Sequence, residues 1–279
     1  MLSKTTSLAT FAANRATGTI ALSATAQAGV TRRARVHEDG SLRVRFPNAT
    51  PEALEAVIVN TGGGMTGGDR FHIEMAVGEG ARLVAGTAAA EKIYRSTGPD
   101  TEMDVRLAVA AGASLAWLPQ ETILFDRARL SRRLDIDLGE GASLIMAEAV
   151  VLGRAAMGEV LAEGHFTDRW RLRRDGRLIY ADTARLDGAI AGQLAQRAVA
   201  DAGIAIATVL IAPGGDEQLA AVRALGDNLP GGFAGEVGIS AWNGIAVARL
   251  CAKDGAALRR DLIAVLAALG TTVPRLWLQ

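Results

Sequence analysis

A short unit, in which Gly-Ala is followed by Arg or Ser and then by Leu, occurs three times about thirty residues apart. The copies begin at Gly80, Gly112 and Gly141. Before each copy, apolar residues occupy alternate positions, which is the spacing of a half-buried strand. These residues are Ile73, Met75 and Val77; Val105, Leu107 and Val109; and Leu134, Ile136 and Leu138. Each copy therefore predicts a strand, a tight turn and a second strand, and the repeat predicts stacked β layers in a solenoid or an elongated sandwich.

The rest of the chain adds turns and two late helices to this mainly β pattern. Turn residues at 38–40 and at Asp175-Gly176 predict β-hairpins. Leucine and valine at helical spacing predict α-helices over residues 216–225 and 256–269, whereas the pattern of residues 189–202 is ambiguous. No linker or shift in composition divides the sequence. We therefore predict a single domain over residues 1–279, an elongated solenoid-like stack of strands with about two helices in its last third.

Composition and charge exclude several kinds of partner. Thirty Lys and Arg balance thirty Asp and Glu, so no net field attracts nucleic acid or an anionic membrane surface.

The single cysteine, Cys251, excludes an internal disulfide, suits a reducing compartment and is expected to be a small buried side chain. Residues 24–28 imitate the end of a signal peptide, but no continuous apolar segment precedes them. The most apolar uncharged run, 202–215, is too short to span a bilayer, and we expect a soluble cytoplasmic protein.

Gly62, Gly64 and Gly67 match the Gly-x-Gly-x-x-Gly pattern of dinucleotide-binding turns. Such a turn joins a strand to a helix whose N-terminus faces the pyrophosphate. Residues 56–59 supply the strand, but the residues after Asp69 alternate as a second strand, and Asp69 would repel a phosphate. We interpret the glycines as a strand connection that needs positive φ angles and close backbone approach. A dinucleotide-binding oxidoreductase that uses this turn is kept as the alternative.

Few residues indicate catalysis or a resident metal site. The three histidines are separated along the sequence and belong to no His or Cys cluster, and no Gly-x-Ser-x-Gly elbow is present. Glu148 lies in the apolar run 144–152, where a buried carboxylate needs a partner, and Arg154 is the candidate six positions on. Other polar pairs follow apolar runs at Glu91-Lys92, Arg95-Ser96 and Gln120-Glu121. Alone, each is interpreted as a structural ion pair or a solvated loop end.

Four segments, in this order and spacing, resemble the urease accessory protein UreD (UreH) family. They are residues 60–70 (NTGGGMTGGDR), 90–96 (AEKIYRS), 117–125 (WLPQETILF) and the stretch from Glu148 through Leu152-Gly153-Arg154 to Gly158-Glu159. Residues 18–47 are also similar to the start of that family. The resemblance covers nearly the whole chain and is specific up to about Leu186. One departure is Gly86-Thr87-Ala88-Ala89, where the family often has Thr-Thr-Gln.

The resemblance implies a β-helix-like fold with two helices and a non-catalytic role in urease maturation. Proteins of this family act with UreF and the GTPase UreG, dock on apo-urease and help to deliver nickel to its active site; UreD bridges urease and UreF. A water-filled passage through UreD is proposed as a nickel route. Carried onto this sequence, Asp69, Glu148 and Glu159 are the candidates for lining it. The resemblance thus implies transient Ni²⁺ and no tightly bound cofactor, since oxygen ligands exchange a divalent ion more readily than thiolate or imidazole cages.

The repeat is also compatible with a solenoid that binds polysaccharide. Such a protein would need exposed aromatic side chains and clustered carboxylates. Four Trp and two Tyr offer few of the former, so this function is the weakest of the three considered.

Overall fold

The computed structural model describes residues 15–47 and 53–278, which form a mainly β structure as predicted. The described residues contain three α-helices: α1 (Ile190–Leu194), α2 (Asp216–Asn228) and α3 (Gly255–Ala268). Short 3₁₀ turns lie at Ala155–Met157 and Arg275–Leu278. Within this part of the chain, no helix is long and apolar enough to cross a bilayer.

Seven strands form the first sheet. They are β1 (Thr17–Gln27), β2 (Val30–Gly40), β5 (Arg70–Val77), β8 (Thr101–Val109), β11 (Arg129–Leu138), β14 (Gly164–Arg174) and β15 (Arg177–Gly188). Their order across the sheet is β15-β14-β11-β8-β5-β1-β2, so β15 and β2 are its edge strands.

Eleven strands form the second sheet. They are β3 (Leu42–Arg45), β4 (Leu54–Asn60), β6 (Arg82–Thr87), β7 (Glu91–Ile93), β9 (Ser114–Trp117), β10 (Thr122–Leu124), β12 (Ser143–Arg154), β13 (Glu159–Val160), β16 (Ala205–Ala212), β17 (Glu236–Trp242) and β18 (Ile245–Ala252). The main order is β17-β18-β16-β12-β9-β6-β4-β3. The short strands β7, β10 and β13 lie off this path, where β10 joins β7 to β12 and β13 pairs with β12.

The two strands of each repeat belong to different sheets. β5 leads into β6 through Gly80, β8 into β9 through Gly112 and β11 into β12 through Gly141. Neighbouring coils pair in parallel, since β5, β8 and β11 are adjacent in the first sheet and β6, β9 and β12 in the second. The three glycines have φ angles of 64°, 63° and 64°. This arrangement is a β-solenoid of stacked coils, and it confirms the fold predicted from the repeat.

The alternating apolar residues fill the space between the sheets. Because Ile73 pairs with Val105 and Val105 with Leu134, equivalent residues of successive coils form one continuous row. All three are buried. The polar residues between them lie on the other side of the pleat, as the alternation predicts.

A second core lies on the outer face of the eleven-stranded sheet, where α2 and α3 cover it. Leu258, Leu262 and Leu266 of α3 pack in one cluster with small side chains of the sheet, including Ala147 and Ala149 of β12. Both faces of β12 are therefore buried, which explains why residues 144–152 form a continuous apolar run instead of alternating.

One predicted hairpin is wrong, and the other is confirmed. Residues 38–40 are the last residues of β2, which lies in a different sheet from β3, and β3 pairs with β4, so the chain crosses between the sheets at Ser41. Asp175 and Gly176, with φ angles of 49° and 76°, connect β14 to β15 as a two-residue hairpin turn.

The predicted helices are confirmed, with small shifts at their ends. The sequence predicted 216–225 and 256–269, and the helices are Asp216–Asn228 and Gly255–Ala268. The ambiguous residues 189–202 begin with α1 and continue as turns. Cys251 is partly buried, less than the apolar run suggested.

Gly112→Ala should lower the free energy of unfolding by about 1–2 kcal/mol, because an L side chain pays roughly this penalty in the left-handed region. The added methyl meets no atom within 4 Å, so the cost comes from the backbone. Gly238→Ala in β17 is the matched control, since it also meets no atom within 4 Å and has no positive φ. Urea unfolding measures both variants. Equal midpoints would contradict a conformational requirement at the repeat turn.

Candidate functional site

Asp69 ends the glycine loop, and its carboxylate is buried in the turn before β5. Oδ1 accepts a hydrogen bond from the Ala16 amide at 2.9 Å, and Oδ2 accepts one from the Thr66 amide at 2.8 Å. Arg15 crosses the same turn and donates to the Gly67 carbonyl at 2.8 Å. Asp69 therefore holds the loop against the residues that precede β1.

The glycine loop connects two strands and packs closely on its neighbours. A side chain at Gly64 would come within 2.5 Å of the Tyr94 ring, and one at Gly67 within 1.9 Å of the Ser96 hydroxyl. The loop leads from β4 into β5 with no intervening helix, so it does not open into a helix N-terminus as a dinucleotide-binding turn does. The interpretation as a strand connection is confirmed, and the dinucleotide-binding alternative gains no support.

Glu159 lies at the surface in β13, where it forms an ion pair with Arg154. The Arg154 guanidinium also lies 4.0 Å from the centre of the Phe125 ring, a cation–π contact. The sequence-based pairing of Arg154 with Glu148 is therefore wrong. Arg154 lies at the end of β12, and its side chain binds the neighbouring strand instead.

The partner of Glu148 is Arg132, and a second carboxylate, Asp168, completes what we call the charge cluster. Arg132 donates from Nε and Nη2 to the two Asp168 oxygens, at 3.0 and 2.6 Å, and from Nη1 to Glu148. Trp117 Nε1 donates to the other Glu148 oxygen at 2.7 Å. The three charged residues are 2%, 5% and 7% exposed for Arg132, Glu148 and Asp168. A fully bonded ionic group thus lies inside the apolar core between the sheets.

Strand alternation brings these residues together. Arg132 lies two residues before Leu134 on β11, and Asp168 lies between the inward-facing Phe166 and Trp170 on β14. Register pairs Arg132 directly with Asp168, and β12 supplies Glu148 from the facing sheet. Arg132 and Asp168 were not among the residues singled out from the sequence. Extending the alternation backwards from Leu134 would have indicated that Arg132 faces inwards.

Burial and pairing oppose each other within the charge cluster. Burial raises the pKa of Glu148 above its ordinary value; Arg132 lowers it and the neighbouring Asp168 raises it further. For Arg132, burial acts to lower the pKa, but the carboxylates of Asp168 and Glu148 outweigh it and raise the pKa. Arg132 therefore stays charged. Because one cation faces two carboxylates, protonation of Glu148 would make the cluster neutral.

A cavity of about 40 Å³ adjoins the charge cluster. Arg132, Glu148 and Asp168 line it together with Asp182 of the edge strand β15, and Thr208 and apolar residues complete the wall. Asp182 pairs with the exposed Arg249 at 2.8 Å. The volume has room for a few water molecules, since one needs about 10–15 Å³ of such space. Three carboxylates thus line one small cavity between the core and a sheet edge.

The three acids singled out from the sequence do not form one site. Asp69 lies in the glycine loop, Glu148 in the core and Glu159 on the surface. Among residues 15–47 and 53–278, no group of three or more His, Cys, Asp or Glu side chains has the geometry to hold a metal ion. The structure brings Glu148 together with Asp168 and Asp182, and both of these were absent from the sequence-based set.

The other flagged polar residues have structural contacts. Glu121 accepts two hydrogen bonds from Arg259 of α3, each 2.7 Å long, and Gln120 accepts a third at 3.0 Å. These bonds hold α3 on the connection between β9 and β10. The interpretation of this pair as a structural ion pair is consistent with these contacts.

Glu91 is linked to the glycine loop by hydrogen bonds through Asn60. Its carboxylate accepts from Asn60 Nδ2 at 2.9 Å, and Asn60 Oδ1 in turn accepts from the Gly62 amide at 2.9 Å. Burial raises the pKa of Glu91 to about 7, and the Asn60 hydrogen bond offsets only part of this rise. Glu91 thus binds a proton in the folded protein at pH values where an exposed glutamate would be ionised.

Comparison with known proteins gives a consistent result. A family model described as UreD urease accessory protein matches residues 16–278. The chain belongs to the UreD family. "Urease accessory protein UreD" of Rhodopseudomonas palustris (strain HaA2) is 58% identical over 271 residues, which cover 97% of this chain and 96% of that protein. The protein of the same name from Bradyrhizobium diazoefficiens is 56% identical over 277 residues, which cover 99% of this chain and 98% of the relative.

Membership of the UreD family confirms the resemblance seen in the sequence motifs. It supports a role in urease maturation, and an accessory protein of this kind fits a non-catalytic role. The glycine loop and the charge cluster are therefore features of a UreD-family chain, and the stacked coils provide the scaffold for both.

Arg132→Met should lower the free energy of unfolding by about 3–5 kcal/mol, because it leaves two buried carboxyl groups without their cation. Replacing all three residues, as Arg132→Met, Glu148→Leu and Asp168→Leu, should recover most of the loss, since no buried charge then remains. Urea unfolding measures both variants. If the triple variant were less stable than Arg132→Met, the loss would come from packing and not from the unpaired charge.

The free energy of unfolding should fall as pH rises from about 4.5 to about 7, because folded Glu91 keeps a proton that the unfolded chain releases in this window. The upper limit of the loss is about 3.5 kcal/mol, at about 1.4 kcal/mol per pKa unit. Glu91→Gln should remove this part of the pH dependence, whereas the exposed Glu79→Gln should retain it. Urea unfolding across this range measures all three proteins. Parallel profiles for wild type and Glu91→Gln would contradict the raised pKa.

Proposed function

We propose that this protein is a non-catalytic maturation factor that binds apo-urease and UreF and assists nickel insertion into the urease active site with the GTPase UreG. The match to the UreD urease accessory protein family over residues 16–278 carries this proposal. UreG acts through UreF in this scheme, and the assembly works in the cytoplasm. Balanced charge supports a protein partner over nucleic acid or a membrane.

Nickel is a transient cargo in this proposal. The best support for a path through the protein is the cavity lined by Glu148, Asp168 and Asp182. Carboxylate oxygens and water bind a divalent ion without holding it as firmly as thiolates or imidazoles do. Glu148 is therefore the strongest of the three passage candidates inferred from the resemblance.

Arg132 controls access to these carboxylates in the proposed path. Its guanidinium binds both Glu148 and Asp168, so a divalent cation competes with it for the same oxygens. Passage then requires Arg132 to move away or an ion to travel on the Asp182 side of the cavity. A resting state closed by an arginine would limit the escape of metal before a partner binds.

Asp69 and Glu159 have different parts in the proposal. Asp69 already accepts two backbone hydrogen bonds, so its first role is to fix the glycine loop, and any contact with nickel uses its remaining lone pairs. Glu159 is nearer to solvent and pairs with Arg154. In the proposed path, Glu159 lies at the opening to solvent, where an incoming ion replaces Arg154 as the partner of its carboxylate.

Exposed apolar side chains near Glu159 support a protein contact there. Met157 and Val160 are 74% and 61% exposed, and Tyr94 is 38% exposed beside the Phe125 ring. Isolated exposed apolar residues are ordinary, but a group of them at a turn is typical of interaction sites. We propose that this turn meets a component of the urease assembly.

The test is co-expression of the full chain with a urease operon that lacks its own UreD. Wild type should restore urease activity and bound nickel. Glu148→Gln keeps the size of the side chain and a hydrogen-bond acceptor for Arg132 or Trp117, and it should lower both readouts while the protein still co-purifies with urease. Asp137→Asn is the matched control, since Asp137 lies on β11 and faces solvent.

The outcomes separate the two parts of the proposal. No activation by folded wild-type protein would contradict the maturation role. Full activation by Glu148→Gln and by Asp69→Ala, with normal nickel content, would contradict the passage and leave the maturation role intact.

A further inference from the structure

Both sheets end at the same end of the solenoid, and a groove of about 520 Å³ lies between their last strands. Arg33, Val36 and Glu38 of β2 line it on one side, and Val44 and Arg45 of β3 line it on the other, together with Phe46 just after β3. β2 and β3 are the edge strands of the seven-stranded and eleven-stranded sheets. The groove is therefore where the space between the sheets opens to solvent.

The floor of this groove is apolar. Val36 pairs with Leu22 of β1, whose side chain is buried, so Val36 occupies an inward-facing position of the pleat. It is nevertheless 38% exposed, because no described element covers this end of the core. Phe46 lies beside it, with the Arg33 guanidinium 5.3 Å from the centre of its ring.

The charge around the groove is strongly one-sided. Residues 30–45 contain five arginines and two acids, although the whole chain has equal numbers of both signs. The arginines are Arg32, Arg33, Arg35, Arg43 and Arg45. Within the described residues, only Arg45 has an ion pair, with Glu38 at 3.3 Å. Glu38 also accepts from the Val44 amide, so this acid is already occupied.

We propose that this groove binds an extended acidic segment of a partner protein, added as a further strand on β2, whose outer edge has no strand partner among the described residues. The edge strand would form backbone hydrogen bonds with the added segment. Every second side chain of that segment would pack on the apolar floor, and the arginines would bind the carboxylates between them. The proposal goes beyond nickel delivery and does not depend on it.

Charge argues against the other occupants. A second copy of this chain would bring the same arginines face to face, and residues 1–14 carry one lysine and no acid. The apolar floor favours a peptide over a nucleic acid or a lipid surface, since an added strand presents every second side chain to it.

The probe is a fluorescein-labelled ten-residue peptide in which Asp or Glu alternates with Val, titrated with the full chain and followed by fluorescence anisotropy. Binding should be saturable and should weaken as salt is raised. The same peptide with Lys in place of the acids should not bind. Hydrogen exchange should slow at the β2 backbone amides when the acidic peptide is bound, because strand addition protects them.

Arg33→Glu combined with Arg35→Glu should weaken peptide binding by about tenfold or more, as expected when two attractive charges become repulsive. Val36→Glu should also weaken it, since it places a charge on the apolar floor. The matched control is Arg197→Glu with Arg223→Glu, which makes the same charge change at exposed residues outside the groove. The control should stay within about twofold of wild type. Thermal unfolding checks that each variant is folded.

Four results would overturn the proposal. They are no saturable binding of the acidic peptide, equal loss of binding in the control variant, binding without protection of β2, and self-association of the chain through this groove. Equally tight binding of phosphatidylserine vesicles or heparin, with the same sensitivity to Arg33→Glu and Arg35→Glu, would also overturn it, because the surface would then be a general anion-binding surface.

Discussion

Every coil of this solenoid has to reverse from one sheet to the other within a few residues. Parallel strands cannot be joined by a tight hairpin, so each strand reaches its parallel neighbour only after crossing the opposite sheet. The crossing depends on a left-handed backbone at Gly80, Gly112 and Gly141. Backbone bonds between successive turns, such as Gly112 to Glu140 at 2.9 Å, fix the stacking of one coil on the next. The register of both sheets follows from these turns.

Because the register is fixed, the alternation of each strand decides what enters the core. At most inward-facing positions of the stacked strands, the side chain is valine, isoleucine or leucine. At one pair of inward-facing positions, on the neighbouring strands β11 and β14, the side chains are Arg132 and Asp168, and they lie opposite Glu148 of the other sheet. The cluster is tolerated because each charged group has hydrogen-bond partners, including Trp117. The adjoining polar cavity makes it the strongest candidate for a functional interior in this UreD-family protein.

Solenoids usually need their ends covered, since the last coil exposes core positions and free strand edges. The two ends of this solenoid differ in how their core positions are covered. At one end, Trp170 of β14, Tyr180 of the edge strand β15 and Trp242 of the edge strand β17 form a chain of ring contacts. At the other end, the described residues leave Val36 partly exposed among arginines. This asymmetry distinguishes the β2 end as an interaction surface.

The sequence by itself determined the β class, the repeat turns, the two main helices and the family, because each depends on local periodicity, glycine conformation or contiguous motifs. It also determined that the glycine loop joins strands, since the residues after Asp69 alternate. Only the tertiary structure decided which charges meet. Glu148 pairs with Arg132 and not with Arg154, because inward position and register across two sheets bring Arg132 close, while Arg154 turns to the surface. Alternation along β11 indicates that Arg132 faces inwards, but sequence spacing does not indicate which inward-facing charges of distant strands meet.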